Sequence, residues 1–528
     1  MNVLLLYPRF PKTFWSFDRF IEMAGLKAFI PPLGIITVAA MLPESWNIRF
    51  CDRNVTSETD EDWQWCDLVI LSAMIAQKAD FHEMIRKARR LNKKVAVGGP
   101  YPTSVPEDAT ESGANYLILD EGELTVPQFL AAIDQGKTEG VFRATEKPDV
   151  KLTPIPRFDL LNLDAYLMLA VQFSRGCPFN CEFCDIINLY GRKPRTKGES
   201  QMLAELEVLY DLGWRGSIFM VDDNFIGNQR NVKRLLRELI PWMQARKYPF
   251  TFVTEASVNL AEDSELLELM VQAGFYGVFL GIETPDQDSL QVTRKQQNTR
   301  NPLVEACRTV TESGLMVYAG FIIGFDGERS GAGDRIQAFV EATNIPQPML
   351  GVLQALPNTA LWDRLKQEDR LLIEPSGSMD SGDQNTLMNF IPTRSSNEIA
   401  KEYLTALWNL YEPTHYLKRC FQHCLEITPN PNLQQNLYFP FSKGVRLLMQ
   451  LIWIQGVRRV ETRSQFWRQA WVILTQKRQF FSLYIALCAT GEHFLEYRAL
   501  ARERFTQQLG YDPLQSNRTI NQKIPVNA

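Results

Sequence analysis

The sequence predicts an α/β protein built from an N-terminal doubly wound parallel sheet, a partial (β/α)6 barrel and a C-terminal helical domain. Three patterns indicate this division. Short apolar runs alternate with helical stretches up to about residue 140, a second alternating region extends to about residue 385, and the pattern from about Ser396 onward is helical. A chain of 528 residues is also too long for one hydrophobic core. We therefore expect domains at residues 1–140, 166–385 and 386–528, with a linker at residues 141–165.

The first predicted domain contains five buried strands joined by helical crossovers. The strands are expected at residues 3–7, 46–51, 68–72, 94–97 and 116–119. Parallel strands with helices between them form a doubly wound sheet, which binds ligands beyond the carboxyl ends of its strands. Ser72, Gly98 and Gly99 fall at two of those ends, where short glycine-containing loops leave room for a ligand. We therefore expect these three residues to contact a cofactor.

Six apolar runs in the second region indicate the strands of a barrel. They lie at residues 171–174, 217–222, 250–255, 277–283, 317–323 and 349–355. The helices between them are expected to end at Gly213, Gly274 and Gly314, because glycine takes the left-handed conformation that ends a helix without strain. Six such units predict a partial barrel, in which the carboxyl ends of the strands carry the chemistry.

Three cysteines crowd into a loop directly after the first predicted barrel strand. Cys177, Cys181 and Cys184 have the spacing Cys-x3-Cys-x2-Cys. A tetrahedral zinc site normally has four protein ligands, and no further Cys or His lies near in the sequence, whereas a [4Fe-4S] cluster can leave one iron open. The loop therefore predicts an iron-sulfur cluster. The alternative is a structural zinc site or three unrelated buried cysteines.

Acidic residues stand at the ends of three later barrel strands. They are Asp222, Asp223, Glu255 and Glu283. Carboxylates at strand ends can accept hydrogen bonds from a ribose or an ammonium group of a cofactor. The alternative is a structural role as a helix cap or an ion pair. The pattern does not identify a catalytic residue.

The predicted helical domain mixes large apolar and basic side chains between residues 441 and 505, with few acids among them. The residues include Trp453, Trp467, Trp471, Arg458, Arg459, Arg463 and Arg468. Basic amphipathic helices with interfacial tryptophans can lie on an anionic membrane surface. The alternative is a helical cap that packs on the barrel, with arginine stems covering its rim.

Composition restricts the partners and the compartment. The formal net charge of −5 argues against nucleic acid as a partner, since phosphate binding needs a clustered basic surface. The first residues lack the features of a signal peptide, and no run of about 18 apolar residues predicts a transmembrane helix. Nine cysteines, an odd number, suit a reducing compartment. We expect a cytoplasmic protein, or one peripheral to the inner face of the membrane.

The cysteine loop resembles the motif of radical S-adenosylmethionine enzymes. In that family the open iron of the cluster binds the amino and carboxylate groups of S-adenosylmethionine. One electron, from an external donor, then releases a 5′-deoxyadenosyl radical that can take hydrogen from an unactivated carbon. The resemblance implies that Cys177, Cys181 and Cys184 bind a [4Fe-4S] cluster and that S-adenosylmethionine is a cofactor.

A second stretch resembles the Gly-x-Ile-x-Gly strand with which this family approaches the adenine of its cofactor. The residues are Gly320, Ile322 and Gly324, and glycine permits the close backbone approach. The sequence departs from the family at Asp222 and Asp223, which with Asn224 stand where many relatives have Gly-Gly-Glu. The resemblance therefore does not assign the group that binds the amine of S-adenosylmethionine.

A doubly wound domain before such a barrel resembles the cobalamin-dependent branch of the family. The resemblance covers about residues 1–380 and implies cobalamin beside Ser72, Gly98 and Gly99. The cobalamin signature Asp-x-His-x-x-Gly is absent, and the first histidine, His82, lies on a predicted helix after the third strand. The resemblance thus implies a cobalt without a protein imidazole. The alternative is a Rossmann-like domain that binds no cofactor and only shields the barrel.

The layout is similar to the hopanoid C-2 methylase group of bacterial enzymes, through residues 31–34, 98–101, 221–225 and 354–359. The resemblance implies methylation of an unactivated carbon, with methylcobalamin as the methyl donor and a small molecule or a lipid such as a hopanoid as the substrate. A peripheral contact with a membrane would suit a lipid substrate. The alternatives are a cobalamin-dependent radical cyclase or rearrangement enzyme, and a non-catalytic iron-sulfur sensor.

Overall fold

In the computed structural model, which describes residues 1–372, 386–432 and 441–515, the chain begins with a parallel sheet. Its strands are β1 (Asn2–Tyr7), β2 (Asn47–Asp52), β3 (Leu68–Ser72), β4 (Lys94–Gly98), β5 (Tyr116–Ile118) and β6 (Gly140–Phe142). Its helices are α1 (Asp18–Ala24), α2 (Leu33–Ala39), α3 (Asp60–Trp65), α4 (Lys78–Arg90), α5 (Pro100–Ser104), α6 (Pro106–Glu111) and α7 (Gly122–Asp134). The strand order is β2-β1-β3-β4-β5-β6. Side chains alternate between the two faces of the sheet, and each face packs into its own buried core.

The sequence predicted this sheet closely, since all five expected strands are present with ends shifted by at most one residue. A sixth strand that the sequence analysis did not predict, Gly140–Phe142, pairs in parallel with β5 where the linker was expected to begin. This strand has only three residues, and 61% of the Val141 surface is exposed. The strand is held by backbone hydrogen bonds to β5. It has no buried apolar run, which is the pattern that predicts a strand from sequence.

The second part contains six parallel strands that form an open barrel, with a short antiparallel pair beside it. The strands are β7 (Leu169–Val171), β8 (Ser174–Arg175), β9 (Arg195–Thr196), β10 (Ser217–Met220), β11 (Thr251–Ala256), β12 (Phe275–Glu283), β13 (Met316–Ile323) and β14 (Gln347–Val352). The barrel order is β14-β13-β12-β11-β10-β7, and β8 pairs with β9. The helices are α8 (Ile186–Tyr190), α9 (Glu199–Asp211), α10 (Gln229–Ala245), α11 (Ser264–Ala273), α12 (Gln287–Val292), α13 (Leu303–Glu312), α14 (Ala332–Thr343) and α15 (Ala360–Gln367). The predicted partial (β/α)6 barrel is confirmed.

Glycine ends three of the barrel helices, as the sequence predicted. Gly213, Gly274 and Gly314 have φ values of 88°, 95° and 103°, in the left-handed region that a residue with a side chain rarely takes.

The first barrel strand differs from its sequence prediction. One strand is expected over residues 171–174, but β7 ends at Val171, and Ser174 pairs instead with Thr196. The backbone amides of Phe173 and Ser174 donate to the buried carboxylate of Asp222, each over 2.8 Å. Because these amides bind a side chain rather than a neighbouring strand, the chain leaves the barrel sheet here and enters the cysteine loop.

The C-terminal part is helical, as predicted. Its helices are α16 (Ser396–Leu410), α17 (Pro413–Glu426), α18 (Phe441–Leu451), α19 (Arg463–Gln476) and α20 (Phe481–Leu509), and α18 continues into a π-helical segment, Ile452–Arg458. The long helix α20 packs against α1, α16, α17, α18 and α19 and so joins this part to the N-terminal sheet. Among the described residues, no helix combines the length and the apolar character needed to cross a lipid bilayer. The domain boundaries stay a prediction, and the boundary at residue 385 and the tail at 516–528 lie outside the described residues.

Candidate active site

A large cavity, of about 1770 Å³, lies where the three parts of the chain meet. It is bounded by the carboxyl ends of the N-terminal strands, by the barrel and by helices α18 and α20. Its lining is mainly apolar, and its polar side chains include Asp223, Glu255 and Glu283. An ordinary small-molecule pocket has roughly 300–1,000 Å³, so this cavity can hold more than one ligand at a time.

Ser72, Gly98 and Gly99 line the cavity at the edge of the N-terminal sheet. A Cβ on Gly99 would lie 2.6 Å from Ser72 Oγ, and a Cβ on Gly98 would lie 2.8 Å from the carbonyl oxygen of Ile118. Gly99 also has a φ of 93°. The close approach of these loops therefore requires glycine at both positions, and the cavity stays wide at this edge.

Within the described residues, none of the four histidines lines the cavity. His82 lies on α4, and its Nε2 is 3.0 Å from the carboxylate of Asp108. The position of His82 on a helix after β3 agrees with the sequence prediction. No imidazole from the described residues is therefore in place to reach a cobalt in the cavity.

The cysteine loop follows β8 and leads into α8 at the edge of the cavity. Cys177, Cys181 and Cys184 are free thiols with partly exposed side chains, and Cys184 lines the cavity. The side-chain amide of Asn224 donates toward Cys177 Sγ over 3.9 Å, and that of Gln297 donates toward Cys181 Sγ over 3.7 Å. Free thiols with N–H groups directed at their sulfurs suit an iron-sulfur cluster.

Local packing fixes the start of this loop. Gly176 has a φ of 93°, and a Cβ there would lie 2.8 Å from the carbonyl oxygen of Gly191. The same oxygen accepts a hydrogen bond from the Cys177 amide over 3.2 Å.

Burial raises the pKa of the Cys177 thiol, and the positive charge of Lys295 acts in the opposite direction. In the part of the chain that the structure describes, no three His, Cys, Asp or Glu side chains are placed to hold a single metal ion.

The two adjacent aspartates at the end of β10 differ in their surroundings. Asp222 is buried and is not among the residues that line the cavity. Its carboxylate accepts hydrogen bonds from the amides of Phe173 and Ser174 and from Ser174 Oγ. Asp223 lines the cavity and accepts a hydrogen bond from the Gly176 amide over 3.1 Å. Burial raises the pKa of Asp222 to about 7 and that of Asp223 to about 6.

Glu255 and Glu283, on the next two barrel strands, also line the cavity. Glu283 forms an ion pair with Lys295 over 2.5 Å. The Glu255 carboxylate has no hydrogen-bond partner among the described residues, and burial, with the nearby charges of Asp223 and Asp222, raises its pKa to about 8. Glu255 therefore carries a proton at neutral pH in the cofactor-free protein and can donate or accept a hydrogen bond.

Strand β13 brings Gly320 and Ile322 to the cavity, but Gly324 lies just beyond the strand and outside the lining. A Cβ on Gly320 would lie 2.7 Å from the ring of Phe279, so glycine is required by packing. Gly324 has a φ of 107°, and its amide donates to Glu328 over 2.9 Å. Two of the three residues of this motif are thus placed to contact a ligand, and the third turns the chain.

Sequence reasoning missed an ionic connection between the N-terminal sheet and the cysteine loop. Arg175, next to the loop, bonds Glu121 over 2.8 Å and Glu123 over 2.9 Å, and Arg195 also bonds Glu121 over 2.8 Å. Both glutamates follow β5, Glu121 at the N-cap of α7 and Glu123 in its first turn. The partners are more than fifty residues apart, so no local pattern reveals the pairing.

The chain matches three protein families over separate regions. Residues 23–130 match the B12 binding domain, residues 171–331 match the radical SAM superfamily, and residues 359–507 match a domain of unknown function, DUF4070. The first match covers the strand ends at Ser72, Gly98 and Gly99, and the second covers the cysteine loop and the acidic strand ends of the barrel.

Characterised and uncharacterised relatives match nearly the whole chain. An uncharacterized methyltransferase of Synechocystis sp. is 54% identical over 96% of this chain and 94% of its own length. The hopanoid C-2 methylase of Rhodopseudomonas palustris is 34% identical over 89% of this chain and 88% of its own length. Among solved structures, the cobalamin-dependent S-adenosylmethionine radical enzyme OxsB, with aqua-cobalamin and S-adenosylmethionine bound, has a TM-score of 0.59 at 16% identity, covering 97% of this chain and 82% of that one. This last likeness is one of fold.

Proposed function

Since the chain belongs to the radical S-adenosylmethionine family and carries a B12-binding domain, we propose that it methylates an unactivated carbon of an apolar lipid such as a hopanoid. It is an enzyme of the methyltransferase type, with a [4Fe-4S] cluster, S-adenosylmethionine and cobalamin as its cofactors. It needs an electron donor, as its family does. The alternative of a non-catalytic sensor is therefore set aside.

The lipid substrate rests on one observation, the apolar lining of the cavity beyond the barrel. Leu447 and Leu448 of α18, with Leu483 and Ile485 of α20, form part of this lining. Transfer of apolar surface from water into such an environment is favourable by roughly 25 cal/mol per Å². A polycyclic hydrocarbon gains from this surface, whereas a small polar metabolite would leave it uncovered.

We assign the cluster to the three thiols Cys177, Cys181 and Cys184. When bound, the cluster and S-adenosylmethionine supply the one-electron chemistry that activates a carbon–hydrogen bond, and cobalamin supplies the methyl group. The amides of Asn224 and Gln297 lie close enough to two of the sulfurs to stabilise negative charge on them.

The carboxylates that line the cavity are the proposed contacts of the amine and the ribose of S-adenosylmethionine. The position of Asp223, Glu255 and Glu283 in the cavity lining supports this proposal, and Glu255 is the one of the three with no hydrogen-bond partner among the described residues. Asp222 acts indirectly, because its carboxylate accepts hydrogen bonds from the backbone amides of Phe173 and Ser174, which lead into the cysteine loop. We therefore treat Asp222 as a positioning residue.

The remaining proposed contacts, with the adenine and with cobalamin, lie at or near the carboxyl ends of strands. Gly320 and Ile322 offer backbone groups of β13 to the adenine, and Gly324 turns the chain after this strand. Ser72 and the glycines Gly98 and Gly99 form the edge against which cobalamin is proposed to lie.

Lipid analysis tests the proposal. Lipids are compared by mass spectrometry from cells that lack the gene, cells that carry it and cells that carry the Cys181→Ala variant. We expect one class of polycyclic lipid to gain a methyl group only with the intact gene. A product altered by ring closure without an added methyl group would indicate a cyclase, and identical lipids in all three strains would contradict a lipid substrate.

A further inference from the structure

Helices α18 and α19 and the π-helical segment between them expose large apolar side chains to solvent. Met449, Val460 and Trp471 have exposed fractions of 67%, 68% and 67%. We call this set the apolar stripe; its members are Val445, Met449, Trp453, Val457, Val460, Trp467, Trp471 and Leu474. Single exposed apolar residues are common on proteins, but a contiguous group marks a surface that meets an apolar partner.

The stripe is continuous because of the spacing of its members and the packing of the two helices. Val445, Met449, Trp453 and Val457 recur every four residues, which keeps them on one face of α18 and its continuation. Trp467 Nε1 donates to the Gly456 carbonyl over 2.9 Å, which brings α19 against the π-helical segment.

Further along α19, Trp471 and Leu474 continue the stripe by about two helical turns. The opposite faces of these helices are buried in the core; their residues include Leu447, Leu451, Phe466 and Ile473.

Basic residues are interspersed with the members of the stripe along the chain, with one acid among them. Residues 441–480 contain Lys443, Arg446, Arg458, Arg459, Arg463, Arg468, Lys477 and Arg478 against Glu461. Arg459 is occupied by a bidentate ion pair with Glu492, with two bonds of 2.7 Å. Arg458, Arg463 and Arg468 are exposed and have no ion-pair partner within the described ranges. The whole chain has a net charge of −5, so this positive region is local.

One end of the stripe reaches the active-site cavity. Val445 belongs to the stripe and also lines the cavity, with 39% of its surface exposed. Ser482, at the start of α20, is exposed and lines the cavity as well. The cavity therefore opens to solvent between α18 and α20, directly beside the apolar stripe.

We propose that the apolar stripe docks on an anionic lipid bilayer, so that the cavity mouth between α18 and α20 faces the membrane and admits the substrate from it. Exposed tryptophans beside unpaired arginines fit this occupant, since apolar burial and attraction to anionic head groups act together at a membrane surface. The entry of the substrate rests on the proposed function, whereas the docking does not.

Vesicle sedimentation tests the docking. The full-length reconstituted protein is mixed with vesicles of phosphatidylcholine and phosphatidylglycerol in equal parts, and with vesicles of phosphatidylcholine alone. We expect binding to the anionic vesicles that weakens with salt. The variant Arg458→Glu/Arg463→Glu should bind at least about tenfold more weakly, because it replaces the attraction of two basic side chains to the anionic head groups with repulsion.

A second variant and a control separate the apolar contribution from loss of structure. Trp453→Glu/Trp471→Glu should also bind at least about tenfold more weakly, with an unchanged circular dichroism spectrum. The control Leu152→Glu changes an equally exposed apolar residue, 66% accessible, far along the chain from the stripe, and should bind like the wild type. Failure of the wild type to bind anionic vesicles, or equal binding by all variants, would overturn the docking. So would a wild-type dimer that Trp453→Glu/Trp471→Glu converts to a monomer, since the stripe would then be a contact between copies.

The delivery of substrate is tested with the same variants. Lipid extract is presented either within anionic vesicles or dispersed in detergent, and methylation is measured in both. We expect Arg458→Glu/Arg463→Glu to lose at least about tenfold in rate with vesicles and to match the wild type in detergent. Equal rates in vesicles would overturn entry from the membrane. If the wild type methylates no lipid in either form but still binds vesicles, the proposed substrate fails while the docking stands.

Discussion

Removal of the Arg175 side chain should destabilise the folded protein, because it breaks the ionic connection between the N-terminal sheet and the cysteine loop. Arg175 bonds Glu121 over 2.8 Å and Glu123 over 2.9 Å, and each glutamate side chain is only 2% exposed. In Arg175→Met, Glu121 keeps Arg195, but Glu123 loses its cationic partner. Breaking a buried pair by removing one member costs about 3–5 kcal/mol, and we expect the free energy of unfolding to fall by that amount at pH 8.

The pH dependence of this loss has a definite sign. Burial acts to raise the pKa of Glu123, but the charge of Arg175 and the hydrogen bonds from Arg175, from Thr153 and from the backbone together outweigh it and hold that pKa below its ordinary value. In the wild type, Glu123 therefore contributes stability above its unfolded pKa that is lost as pH falls through its folded pKa. In Arg175→Met burial prevails and the folded pKa lies above the unfolded one. The variant should then lose stability as pH rises through that raised pKa, and its deficit should be smaller at pH 5 than at pH 8.

Denaturant unfolding of the cofactor-free protein, followed by circular dichroism, measures these changes. The double variant Arg175→Met/Glu123→Gln should regain most of the loss, because no buried charge is left unpaired. Arg157→Met is the control: its partner Asp159 is about half exposed, and a surface pair contributes roughly 0–1 kcal/mol. A loss below about 1 kcal/mol in Arg175→Met, or a double variant no more stable than the single one, would refute the reasoning.

Three further predictions concern the site. Because the folded pKa of Glu255, about 8, lies above its unfolded value of 4.5, wild-type stability should fall as pH rises between these values. Glu255→Gln should be more stable than the wild type by about 4–5 kcal/mol at pH 9 in denaturant unfolding, and equal stability would contradict the raised pKa. His82→Ala should leave the absorption and paramagnetic resonance spectra of bound cobalamin unchanged, and loss of a nitrogen coupling would show that His82 binds cobalt. Gly99→Ala should reduce cobalamin retained after gel filtration, because its Cβ would lie 2.6 Å from Ser72 Oγ, while the iron content stays constant.

The sequence predicted the parts of this protein that depend on local pattern. The strand ends at Ser72, Gly98 and Gly99 follow from the alternation of apolar runs and helices, and the cysteine loop follows from the spacing of three neighbours in the chain. The structure places all six at or beside one cavity. Their roles in binding cofactors stay a prediction.

The parts that depend on contacts between distant residues were not predictable. Asp222 was expected to face a cofactor, but it instead accepts hydrogen bonds from backbone amides 48 and 49 residues away. The mixture of Trp and Arg in the last helices is visible in the sequence, yet only the structure shows that Arg459 is held by Glu492 while Arg458 is exposed. Short-range patterns thus predict secondary-structure elements and clusters of neighbouring residues. Contacts between distant residues decide which side chains remain free to bind a ligand or a surface.

Transfer of an isotope-labelled methyl group tests the central claim most directly. The anaerobically reconstituted, reduced enzyme with cobalamin is given lipid extract and S-adenosylmethionine that carries a deuterated methyl group. The account predicts a lipid with a deuterated methyl group together with 5′-deoxyadenosine, and neither product in Cys181→Ala. Formation of 5′-deoxyadenosine with a lipid changed but unlabelled, or cleavage of S-adenosylmethionine that persists in Cys181→Ala, would contradict it.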